Sequence, residues 1–266
     1  MAGYTAKDVQ ALRKATGVGM LDAKRALEEN GGDLSQATQW LREQGLAGAA
    51  KRSDREASEG AVAVVRDGDV AGLVELRCET DFVAKAAEFV ALADELAALV
   101  VAKGEPAAAE RQDEVDRLRT TLKENISIGR VVRVEAGDGE VLDSYLHQQA
   151  GRGVNAVVVL LRGGDQALAH EIALHIAFTR PTFLRREDVP ADEVAAERAT
   201  VEAISRNEGK PEAALPKIVE GRMTGWFKDR CLLEQNLAKD EKQTIAGMLG
   251  AADAEVAQFA QIVVGS

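Results

Sequence analysis

The feature that most constrains the fold of this chain is a change in the spacing of apolar residues at residues 75–84. Apolar residues alternate from Val70 to Leu76, and from Phe82 to Val100 they recur every three to four residues. Alternation is typical of a half-buried strand, and a period near 3.6 is typical of an amphipathic helix. The sequence therefore predicts a strand that turns a corner directly into a helix.

The corner itself reads Thr80-Asp81-Phe82-Val83, and its neighbouring acid and aromatic side chains allow two interpretations. In the structural interpretation, Asp81 caps the N-terminus of the helix and Phe82 anchors the core, in line with known capping preferences. In the functional interpretation, the two side chains form a compact wedge with a negative tip. The pattern alone favours the structural interpretation.

The composition limits the classes of partner. The chain has 266 residues and a formal net charge of −11, whereas a dedicated nucleic-acid binder needs basic surface. Its length and its 46% hydrophobic content suffice for more than one domain. The first residues contain no apolar signal segment, and no apolar run has the length of a membrane span. We therefore expect a cytoplasmic protein that contacts neither nucleic acid nor membrane directly.

The order of helix, turn and strand signals predicts an α+β chain. Three short helices near the start resemble a ubiquitin-associated (UBA) domain, and the third is expected to end at Gly45. Two later regions each begin with a hairpin followed by a helix, which predicts two related subdomains of antiparallel sheet plus helix. The predicted parts are a UBA-like bundle at 1–45, a linker at 46–60, a core subdomain N at 61–139, a core subdomain C at 140–189 and 232–266, and a coiled-coil-like helical hairpin inserted at 190–231.

Between the strands of the first subdomain, the apolar spacing predicts two helices. One is expected to run without a break from the corner to about Lys103, because Gly104 and Pro106 follow it. The other is expected over about 109–126, and a strand is expected near 129–135.

Side chains that could carry out chemistry form no recognisable active site. His170 and His175 are five residues apart, whereas a zinc-binding helix needs histidines four apart on one face, so a surface and a packed histidine are expected. Phosphate-binding glycine motifs are absent from the sequence. Cys78 and Cys231 form no metal-type motif and are expected to pack as small apolar residues. We expect neither an enzyme, a cofactor nor a metal site.

Several segments resemble one known family. Residues 12–27 read Leu-Arg-Lys-Ala-Thr-Gly-Val-Gly-Met-Leu-Asp-Ala-Lys-Arg-Ala-Leu, and residues 75–84 read Glu-Leu-Arg-Cys-Glu-Thr-Asp-Phe-Val-Ala. Both are similar to the signature segments of bacterial translation elongation factor Ts, the nucleotide-exchange factor of the GTPase elongation factor Tu. Residues 183–190, 207–211 and 231–235 resemble further segments of that family, in the same order.

The resemblance implies a site for a protein partner. It implies that Asp81 and Phe82 enter near the magnesium site of elongation factor Tu and dislodge the ion, so that GDP leaves and GTP can bind. Thr80 and Val83 would set that turn, and His147 would pack near the phosphate loop of the GTPase.

The resemblance also assigns a binding role to the N-terminal bundle. Arg13, Met20 and Leu21 match family residues that contact a helix of the GTPase domain. Without the family, Arg13 and His147 are equally well explained as ordinary surface, and Met20 and Leu21 as ordinary bundle core.

Other functions and assemblies stay open at this point. The bundle is also compatible with an adaptor for ubiquitin-like or nascent-chain partners, and the α+β body with a small enzyme. A homodimer within a 2:2 complex is an alternative to a 1:1 complex. The chain departs from the usual family pattern at Arg77, where Asn is usual, and at Asn236-Leu237, where Pro-Phe is usual.

Overall fold

The computed structural model describes residues 3–50 and 54–266. Its N-terminal part is a bundle of three helices. They are α1 (Ala6–Thr16), α2 (Met20–Glu29) and α3 (Leu34–Ala50). Thr5 and Asp8 form the capping box that starts α1. The bundle buries only a small apolar cluster, made of Leu12, Val18, Ala23, Ala26, Leu27, Ala37 and Leu41.

The third helix is longer than predicted. It passes through Gly45, which was expected to end it, and reaches Ala50. Gly45 lies so close to the side chain of Thr120 that a Cβ atom there would overlap it, so the glycine permits close packing rather than a helix end. Of the linker predicted at 46–60, residues 51–53 lie outside the described residues.

The first sheet and its helices follow the bundle. Their elements are β1 (Glu59–Asp67), β2 (Val70–Cys78), α4 (Asp81–Ala84), α5 (Ala87–Lys103), α6 (Gln112–Leu122) and β3 (Ser127–Glu135). The predicted hairpin is confirmed: Asp67 pairs with Val70, and Gly68 between them has a φ of 57°, which glycine adopts readily. β3 then pairs with β2, so that the strand order is β1-β2-β3.

The helix predicted to run unbroken from the corner is wrong in one respect, because it is two helices. Ala86 has extended backbone angles (φ −63°, ψ 133°) and separates the four-residue α4 from α5. The predicted apolar stripe is buried along α5 at Phe89, Ala93, Leu96 and Val100. The second predicted helix is also shorter than 109–126, because a 3-10 segment (Glu105–Arg111) precedes α6 and β3 begins at Ser127.

The second three-stranded sheet lies in the remaining part of the chain, which also contains a separate pair of short strands. Its part of the chain comprises β4 (Glu140–Gln149), β5 (Arg152–Arg162), α7 (Gln166–Thr179), α8 (Ala191–Asn207), α9 (Leu215–Arg230), β6 (Asn236–Leu237), β7 (Asp240–Thr244), α10 (Ile245–Ala251) and β8 (Glu255–Val263). The strand order is β4-β5-β8. The elements β6, β7 and α10 are too short for their apolar residues to show a period in the sequence.

The two sheets have the same connectivity and pack face to face. In each, a hairpin is followed by helices, and a later strand pairs with the second strand of the hairpin. Val62, Leu73, Val158 and Ile262 belong to the apolar cluster between the sheets, while α5 and α7 pack against the outer faces. The fold is therefore α+β, as predicted. None of the helices in the described part of the chain is long and apolar enough to cross a bilayer.

The helices α8 and α9 form an antiparallel pair with its own apolar cluster. Val201, Val219, Met223 and Phe227 are buried in it, whereas Ile204 on α8 is 45% exposed. At the base of the pair, the Arg186 guanidinium lies 2.6 Å from the Glu234 carboxylate.

Candidate functional site

The corner predicted from the sequence is the first turn of α4, and Thr80 is the N-cap of that helix. Thr80 has extended backbone angles, and its hydroxyl accepts a hydrogen bond of 3.4 Å from the Val83 N–H. Asp81 is the first residue of α4 and not its cap, so the capping prediction for Asp81 is wrong. A threonine at this position satisfies one of the free N–H groups that every helix start presents.

Phe82 projects from this corner into solvent. Its side chain is 83% exposed, which excludes the structural interpretation that it anchors the core. Phe82 lies on α4, and the break at Ala86 removes it from the helical phase of the buried stripe on α5. The next two residues, Val83 and Ala84, are buried in the first core together with Cys78. The corner is thus anchored in the core by Val83 and Ala84 and exposes the ring of Phe82 to solvent.

Asp81 provides a negative charge beside that ring. Its hydrogen bond with Lys85, 2.5 Å from Nζ to Oδ2, lowers the pKa of the Asp81 carboxyl, with a smaller contribution from the Arg152 guanidinium. The carboxyl is therefore ionised at neutral pH. The ion pair is partly exposed and joins residues four apart on one helix face, an arrangement that contributes little to stability.

A loop between α6 and β3 holds the corner. One carboxylate oxygen of Glu124 accepts hydrogen bonds of 3.0 Å from both the Glu79 and the Thr80 N–H groups, and the other accepts one from the Thr80 hydroxyl. In return, the Glu79 carboxylate accepts a hydrogen bond of 2.7 Å from the Asn125 N–H. The corner and the loop are therefore joined in both directions.

The N-terminal bundle exposes the apolar residues that the resemblance selected. Met20 is 60% exposed and Leu21 is 82% exposed, so the alternative that they form the bundle core is wrong. Arg13 is exposed on α1. The carboxylate of Asp22, which follows Leu21, forms an ion pair of 2.7 Å with Lys123, the residue before Glu124. The structure thereby brings the start of α2 to the loop that holds the corner.

The three histidines lie in different surroundings. His147 is exposed on the edge strand β4, where the pairing with β5 shifts register after it. His170 is largely exposed and contacts Asp143, with 2.8 Å between Nδ1 and Oδ2. His175 is buried and bonds Gln235 at 2.8 Å, and burial lowers the pKa of its imidazole. The prediction of a surface and a packed histidine at 170 and 175 is confirmed. Among the described residues, no group of three His, Cys, Asp or Glu side chains could hold a metal ion.

Comparison with known proteins decides the family. A family model described as Elongation factor TS matches residues 79–266, and this match begins at the corner. Proteins named Elongation factor Ts from Clavibacter sepedonicus and Kineococcus radiotolerans are 47% and 44% identical to the chain, each over the full length of both proteins. The chain belongs to the elongation factor Ts family. The predicted resemblance is confirmed, and the family makes the chain a translation elongation factor of the nucleotide-exchange type.

In this member of the elongation factor Ts family, the sequence gives no signal for two residues, one of which holds the corner and the other the strand β1. Glu124 is 44 residues from Thr80, so no local pattern joins them. Arg152 reaches from β5 to β1, where it donates hydrogen bonds to the Gly60 carbonyl and, at 2.8 Å, to the Glu59 carboxylate. Arg77, one of the departures from the family pattern, lies 2.8 Å from the buried Glu75 carboxylate and so neutralises it.

Proposed function

We propose that the chain is the guanine-nucleotide exchange factor of elongation factor Tu, and that Asp81 and Phe82 displace Mg²⁺ from the GDP complex. One observation supports the wedge above all others: Phe82 is exposed on a corner whose backbone is tightly held. Aromatic side chains are enriched at protein–protein interfaces, and a group already held in place loses less entropy on binding. Asp81 brings a carboxylate to the same point.

The exchange reaction needs no bond-making residue on this chain. Bound Mg²⁺ joins the nucleotide phosphates to protein ligands and is among the largest charges in such a site. Displacing the ion weakens GDP binding, and the contact of the factor with the nucleotide-free GTPase offsets the cost. The factor acts by differential affinity for the two states, so GDP must weaken binding of the factor by the same ratio.

The remaining site residues form a second contact in this proposal. Arg13, Met20 and Leu21 bind a helix of the GTPase domain, and the exposure of Met20 and Leu21 supports this role. His147 packs near the phosphate loop of the GTPase, and its position on an exposed edge strand supports that contact. We propose that the complex forms in the cytoplasm.

The test of the proposed function is GDP release. Elongation factor Tu loaded with fluorescent GDP is mixed with the purified chain in a stopped-flow instrument, with excess unlabelled GDP present. We expect the release rate to rise with the concentration of the chain and to reach a plateau. A release rate that does not depend on the chain would overturn the exchange function and favour an adaptor.

The charge of Asp81 gives a more specific prediction. Asp81→Ala should lower the plateau rate of GDP release by about fivefold, because the carboxylate acts on the magnesium ligands. The half-maximal concentration should change little. The defect should shrink when EDTA is present, since the chelator then removes the ion. Glu95→Ala, which removes an exposed carboxylate from α5, is the matched control and should behave as wild type. A defect of equal size with and without EDTA would contradict the role assigned to Asp81.

The helical pair α8–α9 should be dispensable for the basic reaction. Its apolar cluster is largely its own, and the base of the pair is held by Arg186 and Glu234 outside the excised segment. Replacing residues 192–224 by a short Gly/Ser turn should leave a cooperatively folding protein that still accelerates GDP release. Circular dichroism melting checks the fold, and loss of all release activity in a folded variant would contradict the prediction.

A further inference from the structure

We propose that Glu124 is a positioning residue for the exchange reaction, which holds the Asp81–Phe82 corner in the conformation that enters the partner. The inference rests on the proposed wedge function and deepens it. Glu124 itself would touch neither nucleotide nor magnesium.

The hydrogen bonds of Glu124 carry the inference. Its carboxylate accepts from two consecutive backbone N–H groups, those of Glu79 and Thr80, at 3.0 Å each, and from the Thr80 hydroxyl. These are the residues between the end of β2 at Cys78 and the start of α4 at Asp81. Hydrogen bonds to an ionised acceptor are stronger than those between neutral groups. One side chain therefore fixes the whole connection between the strand and the short helix.

The Thr80 hydroxyl has two tasks that Glu124 links. It donates to Glu124 and accepts from the Val83 N–H, so the rotamer that caps α4 is the one that bonds the carboxylate. A helix of only four residues has little stability of its own. Without Glu124, the cap and the direction in which α4 carries Phe82 would become variable. Holding a binding group in its bound conformation reduces the entropy lost on binding.

The backbone of the loop between α6 and β3 also favours this contact. Lys123 ends α6 in the left-handed conformation, with a φ of 59°, which is uncommon for a residue other than glycine. This turn is followed directly by Glu124, and the Asn125 N–H then donates to the Glu79 carboxylate at 2.7 Å. Because Lys123 also pairs with Asp22, one short loop bonds both the corner and the bundle end that exposes Leu21.

The first experiment tests the structural contact without a partner. Amide hydrogen exchange of the Glu79 and Thr80 N–H groups is measured by NMR in the wild type, in Glu124→Ala and in Glu114→Ala. Glu114 is a partly exposed carboxylate on α6 that pairs with Arg111, and its variant is the matched control. We expect faster exchange at these two amides in Glu124→Ala only. The exchange rates of the remaining amides should be unchanged. Equal protection in all three proteins would overturn the proposal.

The second experiment tests the functional consequence by GDP release. We expect Glu124→Ala to lower the plateau rate about tenfold. Glu124→Gln retains an acceptor oxygen, so it should stay within about threefold of wild type. If Glu124 acts through the wedge, its loss should matter little once Phe82 has been removed. Adding Glu124→Ala to Phe82→Ala should therefore lower the rate by less than about twofold.

The outcomes separate this proposal from the wedge itself. Full additivity of Glu124→Ala and Phe82→Ala, or a wild-type release rate despite faster amide exchange, would overturn the positioning role while the wedge stands. A wild-type profile of Phe82→Ala alone would overturn the wedge, and the positioning role with it.

Discussion

Phe82→Ala should raise the half-maximal concentration for GDP release from elongation factor Tu and also lower the plateau rate. Phe82 is the proposed apolar anchor, and truncating an anchor at the centre of an interface costs on the order of 2 kcal/mol or more. That corresponds to a loss of roughly thirtyfold in the second-order rate of release. Stopped-flow release of fluorescent GDP over a range of factor concentrations measures both quantities.

The exposure of Phe82 makes its variant easy to interpret. Because 83% of the side chain is already in solvent, its loss should leave the thermal unfolding midpoint of the free protein nearly unchanged. Phe82→Leu keeps an apolar side chain and should retain an intermediate rate. A wild-type release profile for Phe82→Ala would show that the exposed ring is not the wedge.

Deleting the bundle should weaken partner binding by about a hundredfold or more, while saturating amounts of the truncated protein still accelerate release. Met20 and Leu21 are both largely exposed, and burying such a side chain is worth about 1.5–3 kcal/mol. The deletion should remove residues 1–53, because α3 extends to Ala50 and Arg55 lies 3.5 Å from the Glu79 carboxylate beside the corner. Titration of GDP release with the truncated chain measures affinity and plateau separately.

Point variants control for damage caused by the deletion. Met20→Ala and Leu21→Ala in the full chain should each raise the half-maximal concentration and leave the plateau rate unchanged. Absence of any release at saturating truncated protein would show that the bundle takes part in the exchange step itself.

The parts of the fold that could be predicted depend on local patterns. The β1–β2 hairpin follows from alternating apolar residues around Asp67-Gly68, and α5 follows from its regular buried stripe. The break at Ala86 is not visible in that way, because alanine is a strong helix former and gives no capping signal, and because Phe82 continues the apolar period. Gly45 indicates a helix end in sequence, yet here it permits contact with Thr120, a residue in a distant helix.

The candidate residues of the site could be singled out from the sequence, whereas the contacts that hold them could not. Asp81 and Phe82 stand out as a motif, whereas whether Phe82 is buried depends on the helix break. The contacts of Glu124 and Arg152 with the corner and with β1 join residues 44 and 92 positions apart. Such contacts arise from the way the sheet and its helices pack, so a single sequence contains no period or spacing that would indicate them.

The two buried cysteines provide built-in reporters of local opening. Cys78 lies beneath the corner, with its Sγ atom 3.2 Å from the Thr80 carbonyl oxygen, and Cys231 lies at the base of the helical pair. Burial raises the pKa of the Cys78 thiol to about 12 and that of Cys231 to about 11, so neither forms a thiolate readily in the folded state. Thiol labelling must therefore wait for an opening event. The rate at which each cysteine is alkylated by an added thiol reagent then reports the opening of the corner and of the hairpin base separately, without an engineered cysteine.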